Sequence, residues 1–145
     1  MEEVIDFKAV NIFGRNCVMI ACEEGDLERL KYLVEKGGSV HVVDDYGTFF
    51  LHIACYVKDE DVIKYLLDQG IDVNQTDNSN STCFHHACSG TLGIINVNTV
   101  EMLLDAGGDP NAENASRETP FMYACAHADK STIKMMLDRG SDWRL

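Results

Sequence analysis

The sequence predicts an all-α fold built from stacked repeats, and three observations carry that prediction. The pair Ala-Cys recurs as Ala21-Cys22, Ala54-Cys55, Ala87-Cys88 and Ala124-Cys125, at intervals of 33, 33 and 37 residues. A period in this range marks a stack of like supersecondary units, each unable to bury its apolar face alone. Downstream of each of the first three pairs, apolar residues recur at helical spacing, as in Leu27, Leu30, Leu33 and Val34 or Val62, Ile63, Leu66 and Leu67. Each unit then reaches a glycine (Gly37, Gly70, Gly107, Gly140), where tolerance of positive φ lets a helix close.

Aligned on Ala-Cys, the chain reads as one domain, 1–145, with units 11–43, 44–76, 77–113 and 114–145. Residues 1–10 form an N-terminal cap segment whose Val4, Ile5, Phe7 and Val10 are expected to cover the first unit. Each unit opens on Asn or Asp (Asn11, Asp44, Asp77, Asn114), turn formers that hydrogen-bond their own backbone. A first helix of about two turns then starts near Asn16, Phe49, Thr82 and Thr119. Asn16, Thr82 and Thr119 suit the N-cap, and Pro120 suits the first helical position, where its missing N–H costs nothing. Phe49 has no capping oxygen, so either Thr48 substitutes one residue early or this end forfeits about 1 kcal/mol.

The second helices follow, with Val100, Leu103 and Leu104 repeating the pattern in the third unit. The polar stretches beyond the glycines, such as GIDVNQTDNSN, read as extended loops between helix pairs. Lys130, Ser131 and Thr132 stand where the first unit has Leu27, Glu28 and Arg29, a polarity suited to a terminal cap. Four units with these ends are expected to form a complete stack. The third unit is four residues longer, in SGTLGIINVNT, and two outcomes stay open there. Leu92, Ile94 and Ile95 pack on the adjacent unit, or the loop edge is exposed for binding.

DDYGTFFLHIAC with YLLDQGIDVN, MLLDAGGDPN, and ETPFMYAC with MMLDRGSD resemble the ankyrin repeat across nearly the whole chain. The resemblance implies a solenoid of helix-turn-helix units joined by hairpin-like loops that project to one side, with loop tips and first helices forming a concave surface. It also implies that His52 and His85 bond the loop backbone, and that Asn74 and Asn111 resemble sites of asparaginyl hydroxylation. Departures are present: the turn glycine, kept as Gly14 and Gly47, becomes Asn80 and Arg117, and the histidine becomes Met19 and Met122. Asn80 tolerates the left-handed region, whereas Arg117 does so only at a cost, so a reshaped turn is expected there.

Composition narrows the function classes. The net charge is −12, with 24 Asp and Glu against 12 Lys and Arg, which disfavours nucleic acid and anionic membranes as partners. No apolar run approaches the roughly 18 residues of a membrane span, and the acidic start MEEVIDF does not resemble a secretory signal. Between Lys64 and Arg117 there is no Lys or Arg, while Asp68, Asp72, Asp77, Glu101, Asp105, Asp109 and Glu113 fall there. That interval is either a solvated surface or a field that steers a basic partner. The six cysteines occupy two repeat positions, which places them in the core as reduced thiols. A reducing, cytoplasmic setting follows, with the nucleus as the alternative.

No chemistry-bearing motif competes. The cluster Cys83-Phe84-His85-His86-Ala87-Cys88 invites zinc, but its two cysteines lie about 140° apart around one helix. No GxSxG, P-loop, GxGxxG or HExxH is present, so neither an enzyme nor a cofactor is expected. The expectation is a protein-binding module, monomeric on its own. It would act as an adaptor or inhibitor by occupying a partner surface, a kinase or transcription factor being the subcases the resemblance suggests. The alternative is a targeting or regulatory subunit bridging an enzyme or ubiquitin ligase to a substrate.

By the resemblance, contacts fall on loop tips and on the residues after Ala-Cys. The partner-binding candidates are Ile12, Phe13, Val43, Asp45, Tyr46, Thr48, Tyr56, Val57, Asn78, Ser79 and His86. Arg15, Glu23, Glu24, Thr76, Ser81, Ser89, Ala115, Ser116, Glu118, Ala126 and His127 occupy further contact positions. The large apolar and aromatic groups are typical interface anchors. In the competing view, Phe13 and Tyr46 pack loop on loop and Ile12 meets the N-terminal segment.

Overall fold

The computed structural model describes residues 4–89 and 95–142. Among them are four antiparallel helix pairs and no strand longer than an isolated bridge between Val43 and Phe49. The first helices are α1 (Cys17–Glu23), α3 (Phe50–Val57), α5 (Cys83–Cys88) and α7 (Pro120–His127). The second helices are α2 (Leu27–Glu35), α4 (Glu60–Asp68), α6 (Val97–Asp105) and α8 (Lys130–Asp138). None is long and apolar enough to cross a membrane.

Six of the eight helices among the described residues start on a side-chain cap. Asn16 accepts from the Met19 N–H and Thr119 from the Met122 N–H. Asp26, Asp59, Asn96 and Asp129 cap the second helices in the same way. At α3 the N-cap is Phe49, whose side chain is buried. Its backbone N–H instead donates to His52 Nδ1 at 3.4 Å.

The helices stack because each helix pair leaves an apolar face that only a neighbour can cover. α3 packs between α1 and α5, and α5 between α3 and α7, with the second helices behind. Val18, Phe50, Leu51, Ile63, Leu66, Phe84, Leu103 and Met136 have no exposed surface. Burying each such side chain stabilises the stack by about 1.5–3 kcal/mol. Phe7 packs on this core, beside Gly38, and its carbonyl accepts from Asn16 Nδ2, so the N-terminal segment covers part of the first unit. Val4 and Val10 remain exposed. Ile95 is buried, while Leu92 and Ile94 lie outside the described residues.

The cysteines depart in part from the expected core placement. Cys22, Cys55, Cys83 and Cys88 are buried, but Cys17 is only half-buried and Cys125 is exposed. The register is shared, yet among the described residues no helix pair lies beyond α7 and α8 to cover Cys125.

The loops that open the four units form like hairpins. The N–H groups of Asn11, Asp44, Asp77 and Asn114 donate to the carbonyls of Arg15, Thr48, Ser81 and Glu118, at 2.9–3.0 Å. Each opening side chain accepts two N–H groups of its own turn; Asp44 Oδ1, for example, takes those of Tyr46 and Thr48 at 2.9 Å. Neighbouring tips are strung together: Asp45 N–H to Phe13 O, Asn78 N–H to Tyr46 O, and Ala115 N–H to Ser79 O. Below them, Asn74 and Asn111 each clamp the following unit, through the carbonyls of Gly107 and Gly140 and the N–H groups of Asp109 and Asp142.

Arg117 corrects the expectation of a reshaped turn. It takes φ +63° and keeps the same hairpin bonds, as does Asn80 at φ +58°. The glycines are needed elsewhere for a different reason. A Cβ on Gly14 would lie 2.3 Å from Asp45 Oδ1, and one on Gly47 would lie 2.5 Å from Asn78 Oδ1. The tip after Asn80 presents Ala115, too small to collide, and among the described residues no tip follows Arg117.

Candidate partner-binding groove

The hairpins project Phe13 and Tyr46 from adjacent tips, with ring centroids 6.5 Å apart. The tip-to-tip hydrogen bonds hold this spacing. Opposite them, the last turn of α3 presents Tyr56 and Val57. Between these walls lies a groove of about 610 Å³ lined by Phe13, Arg15, Glu23, Tyr46, Thr48, His52, Ile53, Tyr56, Val57 and His86. Its size lies within the range of ligand-binding clefts.

The polar groups of the groove are held in fixed arrangements. Arg15 reaches Asp44 Oδ2 through Nε at 2.9 Å and Glu23 Oε1 through Nη1 at 3.1 Å. Asp44's side chain is fully buried, so the Arg15 guanidinium neutralises an anion that water cannot reach. His52 accepts the Phe49 N–H at Nδ1, which places its proton on Nε2, where it donates to Ser81 O at 2.9 Å. Burial, and then neighbouring His86, pushes His52 down to about 4. The same pair of bonds recurs one unit on: His85 Nδ1 accepts from the Thr82 N–H and Nε2 donates to Glu118 O at 2.8 Å. These two histidines tie successive hairpins together, as the resemblance implied.

His86 points into the groove rather than standing free in solvent. Its Nε2 lies 3.2 Å from Asp77 Oδ2, and its ring meets those of His52 and Tyr56 edge-on. Burial acts to raise the Asp77 carboxyl, but the Ser81 N–H, His86 and the Ser79 N–H outweigh it and hold the group low. Beside α5, Lys58 takes φ +61° and donates through Nζ to Ser89 O at 2.9 Å and Ala87 O at 3.5 Å. Its ammonium thus closes the C-terminal end of that short helix, where carbonyls lack intrahelical partners.

Phe13, Tyr46, Thr48, Tyr56, Val57 and His86 come together in the groove. Ile12, Val43, Asp45, Asn78 and Ser79 are exposed at or beside the tips and do not line it. Ser81 is buried, its carbonyl taken by His52. Ile12 is 88% exposed, which leaves it uncovered by the N-terminal segment. Arg15 and Glu23, named as contact positions, do line the groove. Ile53 and His52 also line it, although the sequence reading left Ile53 unassigned and gave His52 only a bond to the loop backbone. A second depression of about 510 Å³ adjoins, lined by Tyr56, Ser81, His85, His86, Ser89, Tyr123 and His127. Tyr123, whose hydroxyl bonds Glu118 and Asn114, was not anticipated there. Asp68, Glu101 and Asp105 sit exposed on the second-helix layer, away from the groove lining, and Asp105 pairs with Arg139.

His52, Asp77 and His86 bring one possible metal-ligating atom each within 4.8 Å of one another. Both His52 nitrogens are already committed to backbone groups, in bonds that His85 duplicates, so the trio offers at most two ligands, Asp77 and His86, which are paired with each other. The thiols of α5 are equally committed to the core. Cys83 Sγ donates to Val73 O at 3.2 Å, and burial pushes Cys88 up to about 12. The groove therefore offers apolar walls, aromatic edges and fixed charges: a surface for contact.

Comparison with known proteins agrees with this geometry. A family model described as ankyrin repeats (3 copies) matches residues 2–77 and 74–145. No curated protein matches the chain.

Proposed function

We propose, from the premise that this chain belongs to the ankyrin-repeat family, that it is a non-catalytic module seating a partner polypeptide in the groove between hairpin tips and first helices. Ankyrin repeats mediate protein–protein interaction. The observation that carries the reading is the convergence of Phe13, Tyr46, Tyr56 and Val57 on one groove of about 610 Å³. Tyr46 is 58% exposed and Tyr56 39%, so each has surface left for a partner to cover. By occupying the partner's surface in this way, the chain acts as an adaptor or inhibitor, and a kinase or transcription factor would be a suitable target.

The test is Tyr46→Ala combined with Tyr56→Ala, with affinity measured by calorimetry against the partner recovered from native cells. Truncating two aromatic anchors should weaken binding at least tenfold, since such residues carry roughly 2 kcal/mol or more. An unchanged affinity in a variant with wild-type circular dichroism would place the interface elsewhere. A bridging role is the second reading, favoured by the adjoining depression with Tyr123 and His127. Two partners captured at once, one lost with Tyr123→Ala and the other with the Tyr46/Tyr56 pair, would select it.

A further inference from the structure

Resting on the groove reading, we infer that the occupant is a basic polypeptide segment that buries one or more bulky apolar side chains between Lys or Arg flanks. The walls supply the apolar half of this recognition. Tyr46 and Tyr56 keep much of their surface exposed, and the buried Ile53 closes the floor. The charge around the groove supplies the other half.

Among the described residues, the two cations in and beside the groove, Arg15 and Lys58, are already engaged. Arg15 lies between Glu23 and Asp44 at 3.1 and 2.9 Å, and Lys58 donates to the carbonyls of Ser89 and Ala87. Beyond the groove, the chain has no Lys or Arg between Lys64 and Arg117. The anions outnumber these partners. Glu23 keeps 44% of its side chain exposed beside Arg15, and Glu24 and Asp45 are exposed next to lining residues. An acidic segment entering here would meet carboxylates, with no unengaged cation among the described residues that line the groove. A basic segment finds Glu23 in the groove wall and Glu24 and Asp45 next in sequence to lining residues, and attraction between such exposed charges extends roughly 8 Å at physiological salt. The apolar anchor then supplies most of the affinity, and the charges supply orientation and association rate.

The experiment is selection of a random 12-residue peptide library displayed on phage against the full chain, followed by anisotropy titration of the selected peptides. The expected selection is enriched in Leu, Phe or Trp with Lys or Arg on either side. The titrations should show at least a tenfold loss with Tyr46→Ala and Tyr56→Ala together. Glu23→Gln with Glu24→Gln should cost about three- to tenfold at low salt, with less effect at 0.5 M salt. Enriched peptides that are neutral or acidic but still need the two tyrosines overturn the charge inference and leave the groove reading standing. Peptides indifferent to the tyrosines overturn both. No enrichment at all also overturns the inference, because a groove preformed for such a segment must select it.

Discussion

Replacing Gly47 tests how the tips set each other's sequence. Its φ of +72° is a left-handed conformation, which costs a residue with a Cβ roughly 1 kcal/mol when that residue is Asn. The larger effect is spatial. The added Cβ would lie 2.5 Å from Asn78 Oδ1 and 3.0 Å from Asn78 N, so Asn78 must give up its 3.4 Å bond to Asp45 O and swing aside. Overpacking of this kind costs about 1–2 kcal/mol, so Gly47→Asn should destabilise by about 2–3 kcal/mol in all. Asn78→Ala alone, removing one exposed hydrogen bond, should cost about 0.5–1 kcal/mol. The double variant recreates the pairing that the chain already has at Asn80 and Ala115, so it should cost about 1.5 kcal/mol, less than the sum. Urea unfolding followed by circular dichroism measures all three. A double variant whose loss equals the sum within about 0.5 kcal/mol would refute the tip-contact account.

Two further outcomes follow from burial. His52 is held at about 4 in the folded chain, against an ordinary 6.5, by burial first and by His86 second. The unfolded chain therefore takes up the proton first, and stability should fall as pH drops from about 6.5 towards 4, by up to about 1.4 kcal/mol per pH unit. His85, lowered by its own burial, acts in the same direction. Urea midpoints at pH 7.5 and pH 5 read this, and equal midpoints would contradict it. The thiols divide by exposure: Cys125 should alkylate fast and half-buried Cys17 slowly. Cys22, Cys55, Cys83 and Cys88 should react only after unfolding, because burial keeps Cys22 and Cys88 near 12 and raises Cys55 as well. Mass spectrometry after timed iodoacetamide labelling checks the order, and early modification of Cys55 or Cys88 would mean the stack opens.

The helix pairs were legible because their causes are local. Asn16 and Thr119 cap the helices they precede, Thr82 holds the N-cap position of α5 with its N–H on His85, and the Asx turn at Asp44 needs only the next four residues. The caps Asp26, Asp59, Asn96 and Asp129 were equally available, each preceding an apolar-periodic segment, and went unread. The groove was legible only in outline. Loop-tip and post-Ala-Cys positions pointed to Tyr46 and Tyr56, but Ile53 and His52 face it through the angle at which α3 meets its hairpin, which no short window of sequence encodes.

Features that depend on a neighbouring repeat were settled by the tertiary structure. Asn80 and Arg117 hold the same left-handed turn as Gly47, yet glycine is demanded at 47 because Asn78, on the next tip, fills the space a Cβ would take. Cys125 shares the register of Cys22 and Cys55 and is exposed, since burial in a stack depends on what lies on the far side of each helix. His86, two helical residues before Cys88, turns to Asp77 and the groove because the hairpin folds back over α5. The period and the caps are written along the chain, while contacts between repeats appear only once residues about 30 positions apart are packed together.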